Sequence, residues 1–544
     1  MRKIITIIIA FALIGLSAGA QAPNWAWAKG ATGPQAEEGI AIALDSAGDE
    51  YITGYFQGDS IIFGNTTLHN HTNGFADIFL AKYNPSGTLL WAKSFGGNSN
   101  DEGLAISLDP LGNVYLAGLI FNDTIIFGNT TLHAAASSFT AFNVKLDANG
   151  NVIWAKSSSN GLGMGYGISA DSSGNSYLAG RYYSDSITFG TITLHNPSTP
   201  HDVEFLVKFD SSGNVVWAKQ SEGIQSSGYA TNVNADLYGN IYVVGYFGSD
   251  SISFGSYTLH NNGTFNIFLL KYDSTGNVLW AKSFGGTSQD LSFSVTNDRF
   301  GNCFITGYNY SPSITFDTIT LTGEFFLVKF NSNGNVIWAK TANGKGYTVA
   351  TDSVGSSYAT GYLDSTITFD TITLIIPHSS VADNMFIVKY DSSGHAVFAT
   401  AIAGGGDDYG GIAVSHSSVY IGEDFMHSPF IVGPDTLTNT GIEDIFVAKL
   451  VFPNPQEGIP NLKQLQDISL YPNPTTALLT LSLPNTSQKA IINLYNMLGE
   501  KVQPQLITNN SSLIIDLSNL SQGIYFLEVL MDGEKQVRKV VKIN

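Results

Sequence analysis

The sequence predicts an all-β chain: a seven-bladed β-propeller closed by its own N-terminal strand, followed by a small C-terminal β-sandwich. Three observations carry that expectation. Tryptophan recurs at Trp27, Trp91, Trp154, Trp217, Trp280 and Trp338, with Phe398 in the seventh place, at spacings of 64, 63, 63, 63, 58 and 60 residues. A period this regular marks a repeat architecture. Each period holds short apolar runs separated by Gly- and Asp-rich turns, the pattern in which strands are written. The chain also opens on half a repeat: PNWAWAKG (Pro23 to Gly30) stands alone, whereas each later WAK ends a longer phrase such as FLVKFDSSGNVVWAK.

In chain order, residues 1–22 come first. Arg2 and Lys3, an apolar run from Ile4 to Leu16 and small residues offering cleavage after Ala20 or Ala22 make a secretory signal. The run is too short for an ordinary membrane span, and no integral membrane segment is expected once it is removed.

Residues 23–450 are the expected propeller. Its first full unit has an apolar strand GIAIALD (Gly39 to Asp45), then EYITGYF (Glu50 to Phe56), a variable segment SIIFGNTTLH, IFLAKY (Ile78 to Tyr83) and LLWAK (Leu89 to Lys93). Four strands per unit of ~60 residues suit a propeller blade, while an immunoglobulin-type sandwich needs ~100 residues and seven strands. The turns Asp109-Pro-Leu-Gly-Asn113, Asp171-Ser-Ser-Gly-Asn175 and Asp273-Ser-Thr-Gly-Asn277 read as hairpin turns. They lack the dense oxygen ligands of a calcium loop. The last unit ends at DIFVAKL (Asp444 to Leu450) without a fourth strand, so PNWAWAK is expected to supply it and close the ring. Closure removes the exposed edges of an open array.

Charge is unevenly placed. The repeat region carries 37 acidic against 16 basic residues, whereas residues 451–544 hold seven of each. An acidic surface argues against nucleic acid as a partner. Thirteen of the 16 cations recur at two fixed repeat positions, Lys82, Lys145, Lys208 and their equivalents, and Lys29, Lys93, Lys156 and theirs. Such regularity reads as edge or surface positions with packed stems. Cys303 is the only cysteine, which rules out an intramolecular disulfide and a cysteine-based zinc site.

The phrases WAKSFGG (at Trp91 and Trp280) and LDPLGNVYLAG (Leu108 to Gly118) resemble the SBBP β-propeller repeat family of secreted bacterial proteins, over nearly all of residues 23–450. The resemblance implies a fold and no defined activity. The seventh unit departs from it, with SHSSVYIGE in place of the turn.

Residues 451–467, with three prolines in VFPNPQEGIPNLKQ, read as a linker. Residues 468–544 alternate apolar and polar as a small β-sandwich does. Tyr471-Pro472-Asn473-Pro474, the Leu-Tyr-x-x-x-Gly ending at Gly499, and Gly523-Ile-Tyr525 closely resemble the type A C-terminal sorting domain of the type IX secretion system of Bacteroidota. That resemblance implies export through the type IX machinery, then release or attachment at the surface.

Candidate chemistry is sparse. Carboxylates precede the first strands of some units, at Glu37, Glu38, Asp101, Glu102, Asp290, Asp407 and Asp408, and are expected to form an incomplete acidic rim at the channel mouth. His69, His133, His195 and His260 each follow Thr-Leu, one per unit, and read as loop residues because a zinc site must gather its donors on one ion. The segment YDSTGNVLW (Tyr272 to Trp280) is similar to the repeat of quinone-dependent propeller enzymes but has a shorter turn and no neighbouring cysteine pair. No catalytic residue, metal or cofactor is therefore assigned. Asp59-Ser60-Ile61 and its equivalents resemble the Bacteroidota O-glycosylation consensus. The expected role is non-catalytic binding or adhesion at the cell surface or outside it, toward a glycan or protein, through loops such as HNHTNGFAD (His69 to Asp77) and HNPSTPHDVE (His195 to Glu204). A polysaccharide hydrolase or lyase, and a structural surface-layer protein, are the alternatives.

Overall fold

The computed structural model describes residues 23–452, apart from 73, 123, 135–137, 197–200, 223–227, 364–365, 377–382, 406–409 and 416. It also describes residues 469–543, apart from 484–489, 497–500, 504–505, 509–511 and 532–533. The described residues form strands and turns with no helix, and therefore none long and apolar enough to cross a membrane. The chain divides into two compact units, Gln21–Pro453 and a second that holds the residues from Asn454 onward.

In the first unit, hydrogen bonding sets the described strands in antiparallel groups of four, numbered I to VII here. Group I is Glu37–Leu44, Glu50–Phe56, Asp77–Tyr83 and Leu89–Phe95, paired in that order. Groups II to VI repeat the order, beginning with Asp101–Leu108, Gly163–Ala170, Gly228–Ala235, Asp290–Asn297 and Lys345–Thr351. In group VII, Gly411–Ser415, Ser418–Phe425 and Asp444–Val451 are joined by the N-terminal strand Asn24–Thr32, which pairs antiparallel with Asp444–Val451 from Asn24 opposite Val451 to Ala31 opposite Ile445. The opening half-phrase is thus the fourth strand of the last group.

Tryptophan docks each group onto the next except group VI, where Phe398 holds the position. The Trp154 indole N–H donates to the Ser211 carbonyl at 3.1 Å, Trp217 to Ser274 at 3.2 Å, Trp280 to Ser332 at 3.2 Å and Trp338 to Ser392 at 3.3 Å. Trp27 of group VII does the same to Pro85 of group I at 3.2 Å. Each ring lies on a turn glycine. At Gly213 (φ 82°) a Cβ would stand 2.8 Å from the Trp154 ring, so the position needs both a left-handed backbone and no side chain.

Four of the repeated lysines differ from the surface reading, while the set of Lys29, Lys93, Lys156 and their equivalents is half-exposed or exposed. Lys82, Lys145, Lys271 and Lys329 are buried, each over an aromatic ring; Lys145 Nζ is 4.9 Å from the Tyr115 centroid and 3.6 Å from Asp109 Oδ2. Asp109 is the first residue of its turn, and its carboxylate also accepts from the backbone N–H of Leu111 and Asn113, at 3.0 Å each. The turn carboxylates are thus occupied by their own loops, and the lysine stems thread between groups because a buried ammonium needs both a carboxylate and donors' partners nearby.

A further hairpin sits between the second and third strands of each group, such as Ser60–Phe63 with Thr66–His69. It lies inside the segment read as variable from sequence. Its turn takes a left-handed residue, Gly64 (φ 58°) in group I and Asp317 (φ 51°) in group V.

In the second unit, Ser469–Tyr471, Leu478–Ser482 and Ser512–Asp516 make one sheet. Leu506–Thr508, Ala490–Tyr495, Gly523–Met531 and Glu534–Lys542 make another. Leu479, Leu481, Ile492, Leu494, Ile515, Leu527 and Val540 form the apolar core between them.

Candidate functional site

The first strands of the seven groups together line a cavity of about 980 Å³. Adjacent first strands are tied side to side. Ser107 Oγ accepts from the Ala170 N–H at 3.0 Å, Ser169 Oγ from Ala235 at 3.0 Å and Ser294 Oγ from Val349 at 3.2 Å, while the Thr231 hydroxyl donates to the Ser292 carbonyl at 2.8 Å and Thr348 to Gly410 at 3.1 Å. Between VII and I the backbones approach closely: a Cβ at Gly411 would stand 2.8 Å from the Ile42 backbone nitrogen. Ile42, Ile106, Ile168, Val233, Val295, Val349 and Ile412, one from each group and all buried, make an aliphatic waist to the cavity.

Toward one end of these strands the chain uses a β-bulge to re-aim a side chain. In groups I to VI the pairing register slips by one, between Gly39 and Ala41, Gly103 and Ala105, Gly165 and Gly167, Ala230 and Asn232, Ser292 and Ser294, and Gly346 and Thr348. The extra residue, Ile40, Leu104, Tyr166, Thr231, Phe293 or Tyr347, lines the cavity. Bulges act this way beside functional sites because the extra residue leaves the pleat alternation.

Just beyond the bulges the cross-strand pairs are Glu38 with Tyr55, Glu102 with Leu119, Met164 with Arg181, Tyr229 with Tyr246, Leu291 with Tyr308, and Lys345 with Tyr362. This mouth has two unlike sectors. Groups I and II contribute two carboxylates. Groups IV to VI contribute a continuous aromatic surface: Tyr229 stacks on Tyr246 at 4.9 Å, Tyr246 meets Phe293 at 6.4 Å, Phe293 stacks on Tyr308 at 5.2 Å, and Tyr347 meets Phe293 edge-on at 5.9 Å; Tyr166 of group III joins it through Arg181. Both cations of the mouth lie against it. The Arg181 guanidinium is 4.4 Å from the Tyr229 centroid and 5.6 Å from Tyr166, with Asp202 Oδ2 3.6 Å away. The Lys345 ammonium stands 5.5 Å from Tyr308, 5.8 Å from Tyr310 and 5.7 Å from Tyr362.

Burial sets the ionisation here. It pushes the Glu102 carboxyl above the ordinary carboxylate range and holds the Tyr166 and Tyr229 hydroxyls above theirs, although Arg181 pulls both the other way. The tyrosines are therefore protonated donors at neutral pH rather than bases.

The expected acidic rim divides. Glu38 and Glu102 line the cavity, whereas Glu37, Asp101 and Asp290 are fully buried side chains that do not. The reason is the period of two along a strand: Glu37 and Glu38, like Asp101 and Glu102, point to opposite faces. The buried set fastens loops, as where Asp290 Oδ2 accepts from the Gly286 N–H at 2.6 Å and the Ser311 hydroxyl at 2.9 Å. Burial first, then the neighbouring Asp444 charge, pushes Glu37 up to about 8. Asp407 and Asp408 lie outside the described residues. His69, His133, His195 and His260 end separate hairpin strands and are exposed, and no metal-binding cluster occurs among the described residues.

Sequence reasoning missed the aromatic sector and its cations. The signal was present: Arg181 and Lys345 lie outside the two repeated lysine positions, and Tyr166, Phe293 and Tyr347 occupy a register where groups I and II carry Ile40 and Leu104.

In the C-terminal unit, Asn473 ties the start of the domain to its last strand. Its side-chain amide donates to the Lys539 carbonyl at 2.7 Å and its carbonyl accepts from the Val541 N–H at 2.8 Å. Tyr471 is exposed, flanked by Pro472, and Pro474 follows. Gly523 opens the strand that buries Tyr525, whose hydroxyl donates to the Ser521 carbonyl at 2.8 Å; Gly499 lies outside the described residues. Residues 469–544 match the family model of the secretion system C-terminal sorting domain. The chain is exported by type IX secretion, to the cell surface or beyond it. Its sorting domain is the part that meets the export machinery.

The other likenesses are distant. An uncharacterised WD repeat-containing protein of Acanthamoeba polyphaga mimivirus is 23% identical over 458 residues, 66% of this chain and 33% of the relative. An ulvan lyase of Nonlabens ulvanivorans is 34% identical over 83 residues, 15% of each chain. The chain thus spans a third or less of the length of these curated relatives. Among solved structures, a protein of unknown function from Bacteroides caccae is 12% identical with a TM-score of 0.33, covering 59% of this chain and 89% of its own. A DUF4221 family member from Bacteroides vulgatus is 11% identical with a TM-score of 0.32, covering 79% and 98%.

Proposed function

We propose that the chain is an exported seven-bladed β-propeller, with a signal peptide over residues 1–22, a linker over 451–467 and the sorting domain over 468–544, and that its role is non-catalytic recognition of a ligand at the mouth of the central cavity. The propeller reading is supported by the run of contacts from group I through VII and back to I, carried by first strands and by the tryptophan docks. The SBBP-type repeat fits the same arrangement. The single observation behind the binding reading is the mouth itself, where aromatic rings, Arg181 and two carboxylates from six groups surround a cavity within the size range of ligand sites, with Lys345 beside them over Tyr308, which stacks on Phe293 of that lining.

Binding rather than chemistry is favoured because the mouth tyrosines are held protonated and the cations are engaged with rings. Aromatic faces with flanking charges suit carbohydrate, whose C–H faces pack on rings while hydroxyls bond to charged groups. The test is a glycan-array screen of the purified secreted chain with product analysis by mass spectrometry. Binding without cleavage, lost in F293A, is expected; binding that F293A leaves untouched overturns the reading. A hydrolase or lyase is kept as a second reading by one feature, the raised Glu102 carboxyl beside Tyr166. Cleavage products that vanish in E102Q would favour it.

A further inference from the structure

We propose that the ligand is an anionic carbohydrate, whose acidic groups meet Arg181 and Lys345 while its ring faces lie on Tyr229, Tyr246 and Phe293. This rests on the mouth-binding reading above and adds the charge of the ligand.

The cation inventory carries the argument. Of the 16 lysines and arginines in the repeat region, 13 occupy the two repeated positions. The remaining three are Arg181, Arg299 and Lys345, and two of these touch the aromatic sector of the mouth. In a region with 37 acidic residues, cations placed outside the repeat and gathered at one opening are not a by-product of the architecture.

Their surroundings leave them capacity for an anion. Lys345 has no carboxylate within ion-pair distance among the described residues and lies instead over the faces of three tyrosines. Arg181 has one carboxylate, Asp202, at 3.6 Å, and its buried Nε–H makes no hydrogen bond. A guanidinium presents five donors in a fork matched to carboxylate or sulfate oxygens. The rings keep both cations close to a surface from which water is partly excluded, where a charge-assisted hydrogen bond is stronger than in water.

The rest of the mouth narrows the class. The aromatic surface runs across three groups, long enough to support more than one flat apolar face. Glu38 and Glu102, on the other side, can accept hydroxyl hydrogens and would repel acidic groups, which orients the ligand with its anions toward groups III and VI. The acidic remainder of the region discourages polyanions elsewhere on its surface, so attraction is confined to the mouth and should weaken with salt.

The experiment is calorimetric titration of the full-length secreted chain with an oligogalacturonate, its neutral methyl ester and a sulfated galactan oligosaccharide, in low and high salt. The expected result is binding of at least one acidic probe, with the methyl ester weaker by about tenfold or more. R181Q and K345Q should each weaken the acidic probe by about tenfold with an unchanged thermal midpoint. The two acidic arms distinguish carboxylate from sulfate, and K345Q stands alone if R181Q fails to fold. Equal binding of acid and ester, or binding indifferent to both substitutions but abolished by F293A, overturns the anionic class and leaves mouth binding intact. Binding of no carbohydrate, or binding that F293A does not affect, overturns both.

Discussion

The two ends of the first strands obey different rules. At the turn end most groups repeat the same parts: an Asp that closes its own turn, a lysine over an aromatic ring, and, outside group VI, a tryptophan lying on the next group's turn glycine. At the mouth end the same registers hold Glu38, Glu102, Met164, Tyr229, Leu291 and Lys345, no neighbouring pair alike from group II onward. The backbone geometry is shared, down to the bulge, yet the side chains are not. Repetition marks what assembles the unit, and departure from it marks where a ligand could be read.

The contrast can be broken first at the tryptophans. W217A removes a nearly buried indole and its bond to Ser274, and should destabilise the chain by about 3–5 kcal/mol in denaturant unfolding. W154A should cost a similar amount because its dock is the same. A cost under about 1 kcal/mol at either would mean the docks do not hold the groups together.

A second test uses a buried residue of one strand. Glu37 is buried beside Asp444 and is pushed up to about 8 from 4.5, so the folded chain keeps its proton longer than the unfolded chain does. Its contribution is therefore fully present below about pH 4.5 and is lost as pH rises through about 8, a change on the order of a few kcal/mol. Chemical denaturation between pH 5 and 9 should show wild type losing stability relative to E37Q. Parallel wild-type and E37Q profiles would refute the assignment.

The smallest effects sharpen the lysine comparison. Removing buried Lys145 as K145A leaves the buried Asp109 carboxylate without its cation and should cost on the order of 3 kcal/mol. Lys282 pairs with Asp317 at 3.3 Å with both side chains about a third exposed, so K282A should change stability by less than about 1 kcal/mol. Equal costs would show that burial is not what separates the two lysine sets.

Much of the first end was legible in sequence because it recurs: the tryptophan period, the Asp-x-x-Gly-Asn turns and the orphan PNWAWAK phrase each pointed to a contact the structure contains. Four lysines of the first repeated set, Lys82, Lys145, Lys271 and Lys329, were misplaced because regular spacing tells that a position is structural, not which side of the strand it faces; the second set lies half-exposed or exposed as expected. The short hairpins were hidden inside segments that vary around a Phe-Gly-Asn core. The mouth was half legible. Carboxylates were found by their clustering, but adjacent ones were counted together although alternate residues face opposite ways, and the aromatic sector was overlooked because its tyrosines come from four separate groups that only the fold brings side by side.

The most direct test measures stability and carbohydrate affinity in parallel for F293A and W217A. The account predicts opposite losses: F293A keeps wild-type unfolding free energy to within about 1.5 kcal/mol and loses ligand affinity by tenfold or more, on the order of one buried aromatic contact, while W217A loses stability and retains affinity while folded. Two variants that lose both properties together, or an F293A chain that binds like wild type, would contradict the division between an end that assembles and an end that recognises.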